Sequence, residues 1–454
     1  MKAFKRRPAK ANFTASTKAA IMAILVLPFA AQTAAQAQTA TRAPIAQYWM
    51  DIATGSLMGM DEMPQMPPGM GSLIPGMTGP TGRDGKQAKG VGNFGMTKNL
   101  MMGRWLDTAL YTTRKPGGTE AIHQIPPGAN VGASPLQLIT PPREGLKGSS
   151  GDEVDYPERP QGRILFYWGC SAQVKTGQPR VFDMSRFSAQ EYGSFMQGRS
   201  VRDRGARAEP GHAIWPNDKQ NSQVVRSASM VGEHSISGDG VPPNMRFTLG
   251  PGQDFMPALQ VDTAGKLTDS IRVSWQSIST ARAYMLTAMS GSEGKAGGPE
   301  LIIWSSSEPP ESGMGLMDYV SNPNIDKWLG EKVLLPASQT QCEIPVGIFA
   351  KSDGAMLRAI AYGSEANFSH PPRPANLGAN APWAPDWVVR VRTKSMAMNA
   401  LGEEANAGRR SASSRSQRPD QPEQTGQSQQ QQGDDKAPSL LPGIGGVLKG
   451  LFGR

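Results

Sequence analysis

At 454 residues the chain can bury a sizeable core, and its 52 glycines and 38 prolines exceed the usual share without reaching the level of wholesale disorder. A folded body with long loops and disordered ends is expected. The net charge of +9 overstates its basic character, because Lys2, Lys5, Arg6, Arg7, Lys10 and Lys18 stand before any acidic residue and loss of those six leaves +3, too little for the clustered basic face that nucleic-acid phosphates require.

In chain order, the basic start is followed by a thirteen-residue apolar run, Ala19 to Ala31, broken only by Pro28. A bilayer needs about 20 such residues, whereas a signal-peptide core is this short, and Ala35-Gln36-Ala37 supplies a small-x-small cleavage site. Residues 1–37 therefore read as a cleavable bacterial secretory signal, and the mature chain as exported, periplasmic or outer-membrane associated. No cysteine follows the apolar core, which argues against a lipoprotein. Two cysteines, Cys170 and Cys342, are the whole thiol inventory; they exclude a Cys-based zinc site or a CxxC redox motif. In an oxidising compartment they are expected to bond to each other.

Residues 38–100 show no sustained hydrophobic period apart from a patch at Tyr48, Trp49 and Ile52, and read as a weakly ordered Met/Gly/Pro-rich segment. Within it Met58, Met60, Met63, Met66, Met70 and Met77 offer soft thioethers of the kind Cu(I) prefers, a spacing that resembles methionine-rich segments of exported copper-handling proteins. Over 101–160, short runs at Arg104–Thr113, Thr119–Ile125 and Pro135–Ile139 predict a small β region, and residues 144–161 a linker.

The stretch 161–267 predicts a β-rich domain with one short helix. Ile164 to Trp168 is a continuous apolar run suited to a strand buried on both faces. Ser188-Ala189-Gln190-Glu191 is a capping box, flanked by Phe187 and Tyr192 as a hydrophobic staple, with Gly198 as a stop; it predicts a helix over 189–197. Arg199, Arg202, Arg204 and Arg207, beside Asp203 and Glu209, read as a solvated loop. A further strand is expected at Met245–Leu249.

Between 268 and 393 the pattern becomes regular. Ile271, Val273 and Trp275 alternate with polar partners, and Ala283–Ala288, Leu301–Trp304, Cys342–Phe349 and Met356–Tyr362 follow at the spacing of a β-sandwich. An insertion holds a short helix, with Asn322 as cap, Pro323 in its first turn and Gly330 at its end. Val273-Ser274-Trp275 followed by Ala283-Tyr284 resembles the early strands of a fibronectin type III module, over about a hundred residues; the helical insertion departs from that module. Tyr167-Trp168-Gly169-Cys170 and Gly315-Leu316-Met317-Asp318-Tyr319 resemble exported proteobacterial proteins of a family with no assigned activity, so that resemblance implies no mechanism. A last strand is expected at Trp387–Arg392. Residues 394–438 then read as a disordered polar linker. In 439–454, Leu440, Leu441, Ile444, Val447, Leu448, Leu451 and Phe452 recur at helical spacing, as in a segment that docks on a membrane surface or a partner.

The fold expected is mainly β, with a sandwich body. For function, the leading reading is a non-enzymatic envelope protein that binds or scaffolds, with no cofactor and no nucleic acid. Two rivals come from other classes: an extracytoplasmic hydrolase using Cys170, with His212 or His234 as base, or an unrecognised serine with one of the four histidines His123, His212, His234 and His370, and a copper-handling protein. Trp275 and Trp304 read as core, and Trp383 and Trp387 as exposed aromatics.

Overall fold

In the computed structural model, the described residues are 43–60, 92–99, 102–142, 162–184, 186, 198–201, 204–222, 224–293, 298–378, 381 and 383–402. The expected signal segment 1–37, the helix at 189–197, Met63, Met66, Met70 and Met77, and the segment 439–454 lie outside them.

The chain is mainly β. One large sheet runs in the order β6 (Arg180–Asp183), β5 (Arg163–Trp168), β13 (Pro299–Ser305), β12 (Ala283–Glu293), β16 (Ala355–His370), β17 (Trp387–Leu401), β1 (Ala46–Leu57), β2 (Gly103–Thr112), β7 (Ala213–Trp215), β4 (Leu136–Ile139), β3 (Glu120–Gln124), β8 (Gly232–Gly238) and β9 (Met245–Leu249), with β14 (Leu335–Pro336) paired to β12. A second sheet holds β10 (Val261–Ala264), β11 (Ile271–Trp275) and β15 (Gln341–Ile344). The divisions expected near 160 and 267 fall inside this arrangement: strands from all three stretches join the large sheet, and β10 pairs with β11 across the second boundary.

The spine is the parallel pair β1–β17, flanked by antiparallel β2 and β16. Its inner face carries two cores. At one end, Tyr48, Met50 and Ile52 of β1 and Trp387, Val389 and Val391 of β17 join residues of β2, β3, β4, β7, β8 and β9. The sheet curls around this core until Phe247 of β9 meets Phe368 of β16 at 5.7 Å between ring centroids. At the other end, Ala397 and Leu401 of β17 and Leu357, Ala359 and Ala361 of β16 pack with Val261, Val273 and Ile344 of the small sheet. One bulge serves both. Between Tyr362 and Glu365 the β16 register shifts against β17, so odd-numbered residues face inward before it and Ala366 and Phe368 after it.

Several expectations require correction. The segment 38–100 is not weakly ordered throughout, because β1 occupies Ala46–Leu57 at the centre of the sheet. Its pattern is faint because polar residues are buried as well: the Thr54 and Ser56 hydroxyls donate to the carbonyls of Met256 and Leu259 at 2.7 and 2.8 Å. Order likewise does not stop at 394, since β17 runs to Leu401 with Lys394, Ser395 and Asn399 buried. Ser395 accepts from the Leu259 N–H and Asn399 donates to the Val261 carbonyl, so these polar side chains substitute for apolar ones at a sheet-to-loop contact. β5 is fully buried only at Ile164 and Phe166, and Trp387 is buried rather than exposed. The helix α1 spans Asn322–Gly330 as expected, but its N-cap is Ser321. Asn322 instead clasps β16, accepting from the Glu365 N–H at 3.0 Å and donating to its carbonyl at 2.8 Å.

Cys170 and Cys342 are bonded to each other. The bridge ties the chain leaving β5, in the large sheet, to β15 in the small one. It closes a loop of 172 residues, for which the chain-entropy model gives about 4–5 kcal/mol. The protein denatured without reductant should expose no titratable thiol. Cys170→Ala/Cys342→Ala should lower unfolding stability, by at most that amount in chemical denaturation.

Candidate functional site

The outer face of the spine is where charge collects. Register places Glu365 of β16, Arg392 of β17, Asp51 of β1 and Asp107 of β2 in one row across four strands, and the β16 bulge brings Glu365 rather than Ser364 opposite Arg392. Arg392 donates from Nε and Nη2 to the two carboxylate oxygens of Asp51 at 2.7 and 2.6 Å, with both side chains almost wholly buried. Burial opposes the Arg392 charge, but Asp51 beside it more than compensates and holds its pKa above the ordinary value.

Three segments seal this row. Gly205–Ala206 lies over Asp51: the Ala206 N–H donates to Oδ2 at 3.0 Å, and a Cβ on Gly205 would fall 1.6 Å from Arg392 Nη2, so only glycine fits there. Residues 95–97 lie over Asp107, whose carboxylate accepts from the Gly95 and Thr97 N–H groups at 2.9 and 3.1 Å and from the Thr97 hydroxyl. Burial nonetheless pushes the Asp107 pKa up to about 6. Residues 317–319 form the third seal. The Tyr319 ring lies 4.3 Å from the Arg392 guanidinium and 4.4 Å from the Lys394 ammonium. Lys394 donates to the Met317 carbonyl at 3.3 Å and lies 3.7 Å from Asp318; burial lowers its pKa to about 8 against the pull of Asp318.

Above Arg392 and Tyr319 opens a pocket of about 220 Å³. Ser200, Val201 and Arg204 form one wall, Ser321 and Asn324 of the α1 N-terminus another, and Glu365 a third. The first wall is anchored by buried Glu311, which accepts from the Arg199 N–H at 2.9 Å, and by the Val201 N–H on the Gly315 carbonyl. The Tyr319 hydroxyl is buried and has no hydrogen-bond partner among the described residues.

The residues singled out from sequence are distributed otherwise. Cys170 is in the disulfide and carries no thiol. His234 lies in the inner core with His123, in a chain where Tyr48 Oη meets His123 Nδ1 at 2.8 Å, His123 Nε2 meets His234 Nδ1 at 2.9 Å, and His234 Nε2 meets the Met230 carbonyl at 2.7 Å. A carbonyl only accepts, so with both rings neutral each proton is assigned in turn: His234 donates to Met230, His123 to His234, and Tyr48 to His123. Burial lowers the pKa of both histidines. His212 packs against Trp49 and Tyr111, with centroids 5.5 and 5.2 Å away, and His370 stacks on Trp387. Met58 ends β1 in a turn and Met60 is exposed. Among the described residues there is no group of three or more His, Cys, Asp or Glu able to hold a metal ion, and no helix long and apolar enough to cross a membrane.

Two outcomes test this geometry. Arg392→Met leaves Asp51 buried and unpaired and should cost about 3–5 kcal/mol of unfolding free energy, with Asp51→Val added to it restoring part of the loss. The histidines give a pH dependence. Their folded pKa values lie below the unfolded value of about 6.5, so as pH falls through 6.5 the unfolded chain takes up protons that the folded one refuses. Stability should then drop by a slope approaching 1.4 kcal/mol per pH unit for each, as an order-of-magnitude figure. Asp107 acts oppositely below about pH 6, where the folded state keeps a proton that the unfolded state releases. Urea unfolding between pH 7.5 and 5.5 should show the loss, and His123→Leu/His234→Leu should flatten it.

No family model matches the chain, and no curated protein matches it in sequence, which leaves the pocket and the charged row beneath it to carry the functional reading.

Proposed function

We infer that this chain is an exported, non-enzymatic protein of the cell envelope that binds a ligand on its β body and attaches to a membrane surface or an envelope partner through its C-terminal segment. The observation that carries the binding role is the pocket lined by Arg392, itself ion-paired with buried Asp51, and by Tyr319, with its Ser200–Val201 wall held through the Arg199 and Val201 N–H groups. A recess anchored in this way needs less ordering when a ligand binds. The hydrolase alternative loses its named nucleophile to the disulfide and its base His234 to the neutral core chain. Export rests on the basic start, the short apolar core and Ala35-Gln36-Ala37.

Within the body, residues 268–370 are read as the fibronectin type III-like sandwich, with β11 and β15 facing strands of the large sheet across one apolar core. α1 covers the opposite side of that sheet: Ile325 and Trp328 pack on Met285, Ile360 and Met396.

Export predicts that cells expressing the full chain accumulate a form beginning at Gln38, identifiable by N-terminal sequencing of the extracytoplasmic fraction. Attachment predicts that deletion of residues 439–454 shifts the protein from the envelope pellet to the soluble fraction with no change in melting temperature. An intact N-terminus in cytoplasmic material would defeat the first, and unchanged fractionation the second.

A further inference from the structure

Inside the curled end of the large sheet a polar tie crosses an apolar core. Tyr48 stands on β1 of the spine, whereas His123 and His234 stand on β3 and β8, with β2, β7 and β4 in between. The chain from Tyr48 through His123 and His234 to the Met230 carbonyl therefore spans the core from one wall to another. His234 is the cross-strand partner of Phe247 on β9 and stacks on its ring, with centroids 5.1 Å apart and planes 6° from parallel. Phe247 in turn meets Phe368 of β16.

The line where Phe247 meets Phe368 is a seam and not a ladder. Among the described residues β9 pairs with β8 alone, the 365–370 stretch of β16 pairs with β17 alone, and β12 leaves β16 at Tyr362. The two facing edges are thus closed by apolar contact and by the tie behind it. The base of the β8–β9 hairpin is fixed separately. Asp254 accepts from the Ser229 hydroxyl at 2.6 Å and from the Met230 and Phe255 N–H groups at 2.7 and 2.8 Å, and Thr54 of the spine holds the Met256 carbonyl. β9 can part from β16 while this base and the β3–β8 pairing hold, a local opening smaller than unfolding.

The tie has no good place for an added proton. One proton is accepted only by reversing the bonds, so that His234 donates to His123 and His123 to Tyr48; the Tyr48 hydroxyl then gives up its acceptor and the charge rests in the apolar core. A second proton sets two donors face to face. Among the described residues no carboxylate faces either ring, and burial lowers the pKa of both. On the elements around them, Glu233 of β8 and Arg246 of β9 face each other at 3.7 Å on the exposed side, Glu120 of β3 is exposed, and Asp254 is engaged as above. Arg104 of β2 donates to the Ala228 carbonyl and lies over Phe255, Glu365 of β16 lies 3.5 Å from Arg390 on the outer face, and His370 stacks on Trp387.

We propose that this seam is an acid-opened cleft: protonation of His123 and His234 breaks the tie and parts β9 from β16, uncovering the apolar edge at Met245, Phe247, Leu249 and Phe368 while the spine stays folded. The device depends on neither the pocket nor the C-terminal segment.

The test is hydrogen exchange with mass spectrometry on the full chain at pH 7.5 and 5.5, expressed as protection factors so that the intrinsic pH dependence of exchange is removed. Peptides over 232–249 and 365–370 should be less protected than those of β1. Their protection should fall between the two pH values by up to about tenfold for each histidine that takes up a proton on opening, given an exposed pKa near 6.5. His123→Leu/His234→Leu should remove that fall. Tyr48→Phe keeps the ring and cuts only the end of the tie on the spine, so it should lower seam protection several-fold at pH 7.5. Seam protection equal to that of β1, seam protection independent of pH, or an undiminished fall in the double histidine variant would each overturn the proposal. Should that variant fail to fold, Tyr48→Phe decides: seam protection unchanged at pH 7.5 rejects the tie.

Discussion

The Asp51–Arg392 ion pair is the constraint around which the molecule is arranged. Its partners are 341 residues apart in sequence and lie directly opposite in the parallel pairing of β1 and β17. Side chains alternate along a strand, so a one-residue slip in this pairing would turn Arg392 into the apolar inner core and leave Asp51 alone on the outer face. A buried pair gains little net stability over an apolar pair of the same volume, so its larger effect here is on register. That register fixes which residues of β16, β17, β1 and β2 form the outer row, and hence where the pocket stands.

Around the pair, each sealing segment is held by contacts with the charges it covers. The Ala206 N–H on Asp51, the Gly95 and Thr97 N–H groups on Asp107, and the Met317 carbonyl on Lys394 use backbone groups that would otherwise need water. Because these donors and acceptors belong to loops, the row both places the loops and is shielded by them. The pocket inherits that rigidity: Tyr319 is clamped between two cations, and the Ser200–Val201 wall follows directly after the Arg199 contact with Glu311.

Most strands were legible in the sequence, and β2, β3, β4, β9 and β11 fall within a residue or two of the runs that predicted them. The misses share a cause. β1 and the second half of β17 bury Thr54, Ser56, Ser395 and Asn399 against backbone groups of 256–261, and a polar residue satisfied by a distant carbonyl looks, in sequence, like a loop residue. The site was hidden for the same reason. Asp51 sits in a segment that read as weakly ordered, Lys394 in one that read as linker, and Tyr319 in a motif noted only for its resemblance. Alternation at Arg390, Arg392 and Lys394, three cations on one face of a strand, was the available signal. It gained meaning only once β1 supplied the carboxylate opposite.

The hydroxyl of Tyr319 is one of several buried polar atoms that packing alone does not explain. Phenylalanine would provide the same ring between Arg392 and Lys394, and its quadrupole serves cation–π contact about as well. Tyrosine adds a buried donor, and a buried polar group left unpaired costs about 1–3 kcal/mol. Most buried polar groups in folded proteins are paired, and the others in this row are: Asp51, Asp107, Arg392 and Lys394 each meet a named partner. The unpaired hydroxyl is therefore a cost that the fold bears locally, as it does at Thr393 Oγ1 on β17.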